Sequence, residues 1–128
     1  MVVFPIEIIV PIVPPSPNVL LRAHWSKRYQ HIRDWKDHIY YRLTNENRKE
    51  IRALNEEGNI LFVRIEQFRQ QELDPDNLHG SVKVILDAIV ASNLAFNDSK
   101  EKMSYTVEQI FCNPPQKTKI RFDKDEIL

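Results

Sequence analysis

Residues 73–92 read LDPDNLHGSVKVILDAIVAS, and this stretch decides the fold. It opens on Asp74, Pro75 and Asp76 and then turns apolar. Leu78, Val82, Ile85, Leu86 and Ile89 recur at three- and four-residue steps, which predicts a helix from about Asn77 to Ser92 with one buried stripe. Just upstream, NILFVRIEQF (59–68) alternates Leu61, Val63 and Ile65 with Arg64 and Glu66, the pattern of a half-buried strand. Strand, acidic turn and helix therefore follow one another directly.

On the N-terminal side, VFPIEIIVPIV is β-branched and has prolines near its ends, as an edge or terminal strand tolerates. PPSPN (14–18) is a rigid loop. From about Ser26 to Leu54 the chain favours helix, with an interruption near TNEN. Trp25, Tyr29, Ile32, Trp35, Ile39 and Leu43 form its apolar stripe. Gly58 marks the turn that closes it. Downstream, MSYTVEQIFC (103–112) and KTKIRF (117–122) read as strands around the turn NPPQ, and the expected arrangement is an antiparallel hairpin. The order β-α-β-α-β-β predicts an α+β fold, a two-layer mixed sheet with helices on one face, in one domain spanning residues 1–128.

Composition sets the outer bounds. The chain has 128 residues, 42% hydrophobic and 28% charged, as expected of a globular protein and not of a disordered one. The longest apolar run, PIEIIVPIVPP, carries Glu7 and is broken by prolines, so no membrane span is expected. The lone Cys112 excludes an internal disulfide and points to a reducing, cytoplasmic setting. A net charge of +0 tells against indiscriminate binding of nucleic acid. The charge is nonetheless uneven: Arg22, Lys27, Arg28, Arg33, Lys36 and Arg42 face only Asp34 and Asp37 over 22–42. Arg22, Lys27, Arg28, Arg33 and Lys36, with Trp25 and Tyr29 among them, suit phosphates and bases; they equally suit a solvated helix face.

The acidic turn carries the chemistry. The proline pushes Asp74 into extended backbone, where side chains two apart point the same way about 7 Å from each other. Asp74 and Asp76 can then aim two carboxylates at one point, as Mg²⁺ requires of its hard oxygen ligands. Gly80, Lys83 and Asp87 share the helix face that follows, and Asp98 lies in the loop beyond it. The alternative is plain: DPDN is also an ordinary turn with an Asp or Asn N-cap, and Lys83–Asp87 an ordinary surface pair. His24, His31 and His38 recur every seven residues, too far apart for the usual helical zinc spacing. His79 is a neighbour of the acidic cluster.

Taken together, PPSPN (14–18), DPDNL with Lys83 four residues before Asp87, and LAFND with Asp98 eleven residues beyond Asp87 resemble the RusA-type Holliday junction resolvases. The resemblance spans nearly the whole chain. It implies a Mg²⁺-dependent endonuclease, with Mn²⁺ as a possible substitute, that cuts four-way DNA junctions as a homodimer in recombination and repair. Asp74, Asp76 and Asp98 would bind the metal, Lys83 would assist cleavage, and Asp87 and Asn97 would support them. Two departures stand out. HGS (79–81) lengthens the stretch between Asn77 and Lys83 by about three residues, and Asn97 replaces the first Asp of the family's Asp-Asp pair. They motivate an alternative, a branched-DNA-binding protein that keeps the fold with weak or no cleavage.

Overall fold

A computed structural model describes residues 4–22 and 25–126, without the side chains of residues 20–22. His24 and the side chain of Arg22 therefore lie outside the described residues. In chain order the elements are β1 (Ile6–Val10), α1 (Pro17–Arg22), α2 (Trp25–Arg42), α3 (Asn45–Glu56), β2 (Leu61–Arg69), α4 (Pro75–Ser81), α5 (Lys83–Ala91), β3 (Met103–Phe111) and β4 (Lys117–Asp123). The strands form one mixed sheet in the order β1-β4-β2-β3. Helices pack against it, so the α+β class holds.

The expected hairpin does not form. β3 runs parallel to β2, from Leu61 opposite Met103 to Arg69 opposite Phe111. β4 then crosses to the other side of β2 and pairs antiparallel with both β2 and β1. The reason lies in burial and turn chemistry. Thr118, Ile120 and Phe122 of β4 are each fully buried, which suits a central strand. β3, in contrast, is exposed or half-buried over most of its length, as an edge strand is. The connection contains two prolines and no residue pair suited to a tight two-residue turn. β1 takes the opposite edge, where its flanking prolines are tolerated.

Each helix boundary has a local cause. The interruption near TNEN is a new helix start: Thr44 caps α3 by accepting from the Asn47 N–H at 3.0 Å, and Asn47 Oδ1 accepts from the Thr44 N–H at 3.2 Å. α3 ends on Gly58 at φ 83°, with Gly58 N–H donating to Asn55 O and Asn59 N–H to Leu54 O. α5 ends in the same way on Asn93 at φ 65°, where Asn93 N–H reaches Val90 O and Leu94 N–H reaches Ile89 O. The helix expected from Asn77 to Ser92 is two segments. α4 starts earlier, at Pro75, and Val82 separates it from α5.

The core lies between sheet and helices. Trp35 and Ile39 of α2 meet Ile85 and Ile89 of α5 above Ile8, Val63, Ile65, Ile120 and Phe122. The α2 stripe is buried only in its C-terminal half, because Trp25 and Tyr29 are 67% and 60% exposed. The opposite sheet face is covered by charge of both signs. Arg64 pairs with Glu108 at 3.3 Å, and Lys119 with Glu7 at 3.4 Å.

The loop PPSPN begins α1 and rests on α4. A Cβ added to Gly80 would lie 2.6 Å from Pro17 Cγ, a distance that a rigid ring cannot relieve by rotating. Gly→Ala within a helix ordinarily stabilises by about 1 kcal/mol. Here the sign should invert, with Gly80→Ala costing about 1–3 kcal/mol through overpacking. Urea denaturation checks this, and adding Pro17→Ala to the same chain should recover most of the loss.

Candidate functional site

Asp74 is the N-cap of α4. Its backbone is extended, at φ −66° and ψ 162°, as the following proline dictates. Its Oδ1 accepts from the Asn77 N–H at 2.8 Å and its Oδ2 from Asn77 Nδ2 at 2.9 Å. Both carboxylate oxygens thus serve the helix start. Asp76 lies in the first turn of α4 and is exposed. The His79 ring lies 6.2 Å from that of Tyr105.

Lys83 opens α5 and is the charged centre of the next turn. Its Nζ donates to Asp98 Oδ2 at 2.6 Å and lies 3.0 Å from Asp87 Oδ1. The residues HGS leave that reach intact. They form the last turn of α4, with Gly80 against Pro17 and Ser81 fully buried. The hydrogen bond from Lys83 pulls the Asp98 carboxyl below its ordinary value. Asp98 first and Asp87 second hold the Lys83 ammonium above its own.

The loop that presents Asp98 is fixed by residues that carried no sequence signal for a site. Asn55 is buried, and its Nδ2 donates to Asn59 O and Lys102 O, each at 2.9 Å, while its Oδ1 accepts from the Phe96 N–H at 3.0 Å. Arg52 donates to Asn93 O at 2.8 Å and also to Asn93 Oδ1. Asn97 turns its own carbonyl oxygen back onto the Ser99 N–H at 2.9 Å. Through that bond it supports the loop.

An open cleft of about 240 Å³ lies beside Lys83, lined by Pro17, Arg28, Ile32, Gly80, Lys83, Val84 and Asp87. Arg28 is the member of the basic α2 set that borders it. Lys27, Arg33 and Lys36 are exposed elsewhere on α2.

Behind α4 runs a buried polar relay. Gln67 Nε2 donates to Ser81 Oγ at 3.0 Å, and Ser81 Oγ donates to Leu78 O at 2.6 Å. Arg69 Nε donates to Gln67 Oε1 at 2.7 Å, and Arg69 Nη2 to Pro14 O at 2.5 Å. Leu73, which precedes the acidic turn, is held through both its backbone groups by the amide of Gln109. The strand alternation places Gln67 and Arg69 on the buried face; their burial as polar groups was the signal available.

Among the described residues, no three His, Cys, Asp or Glu side chains come together to hold a metal ion. Asp74, Asp76 and Asp98 offer the oxygen donors that Mg²⁺ prefers. Asp74 is bonded to Asn77, and Asp98 to Lys83. No helix is long and apolar enough to cross a membrane among the described residues. No protein-family model matches the chain, and no curated protein matches its sequence.

The Lys83–Asp98 pair has a definite pH signature. The lowered Asp98 value adds stability that is complete above the ordinary carboxylate value of about 4 and is lost as pH falls through the lowered one. The raised Lys83 value adds stability that is complete below about 10.5 and is lost as pH rises through the raised one. Lys83 and Asp98 are 61% and 44% exposed, so screening keeps the pair weak. Asp98→Asn should cost less than about 1 kcal/mol at pH 7, and less still in high salt. Denaturation curves should show that difference closing as the pH is lowered towards about 2.

Proposed function

We propose that the chain is a RusA-type endonuclease that acts on four-way DNA junctions. One observation carries this reading. Pro17 of PPSPN, Gly80, Lys83 and Asp87 of the central motif, and Arg28 of the basic helix line one cleft, and Asp98 is bonded to the lysine at its edge. Three motifs far apart in the sequence thus meet at one place. A phosphodiester in this cleft would meet two cations, Arg28 and Lys83, with the exposed rings of Trp25 and Tyr29 on the same helix available to bases.

The cofactor that goes with this reading is Mg²⁺ or Mn²⁺ at Asp74, Asp76 and Asp98. Holding it requires Lys83 to exchange Asp98 for a DNA phosphate, which presents the lysine with the same charge and leaves Asp98 free. A homodimer would offer one such cleft to each of two opposed strands. A reducing cytoplasm suits the lone Cys112.

The carboxylates' present partners favour a second reading. With Asp98 neutralised by Lys83 and Asp74 capping α4, the chain would bind branched DNA without cutting it. The two readings separate on a labelled four-way junction, incubated with and without Mg²⁺ beside linear duplex. The nuclease reading expects Mg²⁺-dependent cutting of the junction alone. It expects Asp76→Asn to reduce cutting by more than about 100-fold with binding kept. Lys83→Met should lower it by about 100-fold through loss of charge opposite the phosphate. Tight binding with no nicking in Mg²⁺ or Mn²⁺ would select the second reading, and equal cutting of both substrates would reject the first.

A further inference from the structure

Arg69 ends β2, and it is 8% exposed. Its guanidinium donates to Gln67 Oε1 and Pro14 O, both neutral acceptors. Among the described residues, none of the ion pairs involves Arg69. Burial alone moves its ionisation, downward, and no neighbouring carboxylate acts in the other direction. A buried cation without a counter-charge costs several kcal/mol in general, and proteins ordinarily supply the partner. Glutamate at position 67 would keep the oxygen that accepts from Arg69 Nε and would neutralise it, but would give up the amide donor to Ser81 Oγ; the residue is the neutral isostere, and the Arg69 charge stays without an ion pair.

The uncompensated charge opens onto space. A polar cleft of about 580 Å³ is lined by Ser16, Arg69, Gln70, Gln71, Leu73 and Gln116, and Arg69 is its one charged lining residue. A smaller cleft of about 130 Å³ adjoins it, where Arg69 meets Glu72, Gln109, Ile110 and Phe111. The two bonds to protein leave other N–H groups of the guanidinium fork unused, and that fork matches two oxygens of a tetrahedral anion. Ser16 and the glutamine amides add neutral donors without adding charge.

We propose that Arg69 and the larger cleft in front of it form an oxyanion site that takes a phosphate group. The space admits a phosphate carried on a larger ester as well as the free ion. The site stands on burial and charge, and does not rest on the nuclease reading.

The test is thermal unfolding of the full chain in inorganic phosphate against chloride at equal ionic strength. The wild-type midpoint should rise by on the order of 5 °C at ten times the dissociation constant. Arg69→Met should abolish the rise. Gln67→Glu, which supplies an anion internally and keeps the bond to Arg69 but gives up the amide donor to Ser81, should fold with a lowered midpoint and no phosphate response. Anisotropy with a short labelled duplex then identifies the source. A loss of about tenfold in DNA affinity in Gln67→Glu assigns the site to backbone phosphate, and an unchanged affinity alongside the lost phosphate response assigns it to a free phosphate ester. No phosphate-specific rise in the wild type, or a Gln67→Glu chain that responds as the wild type does, would overturn the proposal.

Discussion

Gln67 is fully buried where β2 passes under α4, and the rest of the structure depends on how its amide is satisfied. In an apolar interior an unpaired amide is costly, so its partners cannot slide. Its nitrogen fixes Ser81, and through Ser81 the last turn of α4. Its oxygen fixes Arg69, and through Arg69 the carbonyl of Pro14. One side chain thus sets the height of α4 on the sheet and the path of the proline loop that crosses it. The tight contact between Pro17 and Gly80 follows from that placement.

The electrostatics of the site follow in turn. With α4 fixed, α5 starts at Lys83 and presents the ammonium toward Asp98, whose loop is held from the far side by Asn55 and Arg52. The cation and the carboxylates are therefore held in place by residues, Gln67, Asn55 and Arg52, that do not themselves line the cleft. Lys83 is bound by acids; a phosphate would compete with them for the lysine, and a metal would compete with the lysine for them. The exposed pair is weak, so its rearrangement on binding an anion is an inexpensive step. Arg69 differs in kind, because its charge is buried and, among the described residues, is in no ion pair.

Much of this was legible in the sequence where local physics decides. The alternation of Leu61, Val63 and Ile65 within 59–68 gave β2, the apolar spacing over 78–89 gave the buried face of α4 and α5, and Gly58 and TNEN gave the boundaries of α3. The partner of β4 was not legible, because strand pairing is decided by which strand is buried on its inner face along its whole length. Thr118, Ile120 and Phe122 look much like Tyr105, Val107 and Gln109 until their neighbours are known. At the site, the sequence grouped Asp74, Asp76, Lys83 and Asp98 with Asp87 in support; the structure brings Lys83, Asp87 and Asp98 into contact, while Asp74 bonds to Asn77. The sequence left Asp74 open between cap and ligand, and the structure makes it the cap. Asn55 carried no signal as a positioning residue, and although the alternation puts Gln67 and Arg69 on the buried face, the partners their polar groups find there are set by contacts distant in sequence.

The central claim is that the cleft between α1, α2 and the α4–α5 pair is where DNA is received. At 15.2 kDa the chain is open to residue-by-residue NMR. The most direct measurement is the change in amide shifts on titration with a catalytically blocked four-way junction in Ca²⁺. The account predicts that the largest changes fall at Arg28, Gly80, Lys83, Asp87 and Asp98, with the open sheet face around Arg64, Lys119 and Arg121 unmoved. Changes concentrated on that sheet face, with the cleft silent, would contradict it.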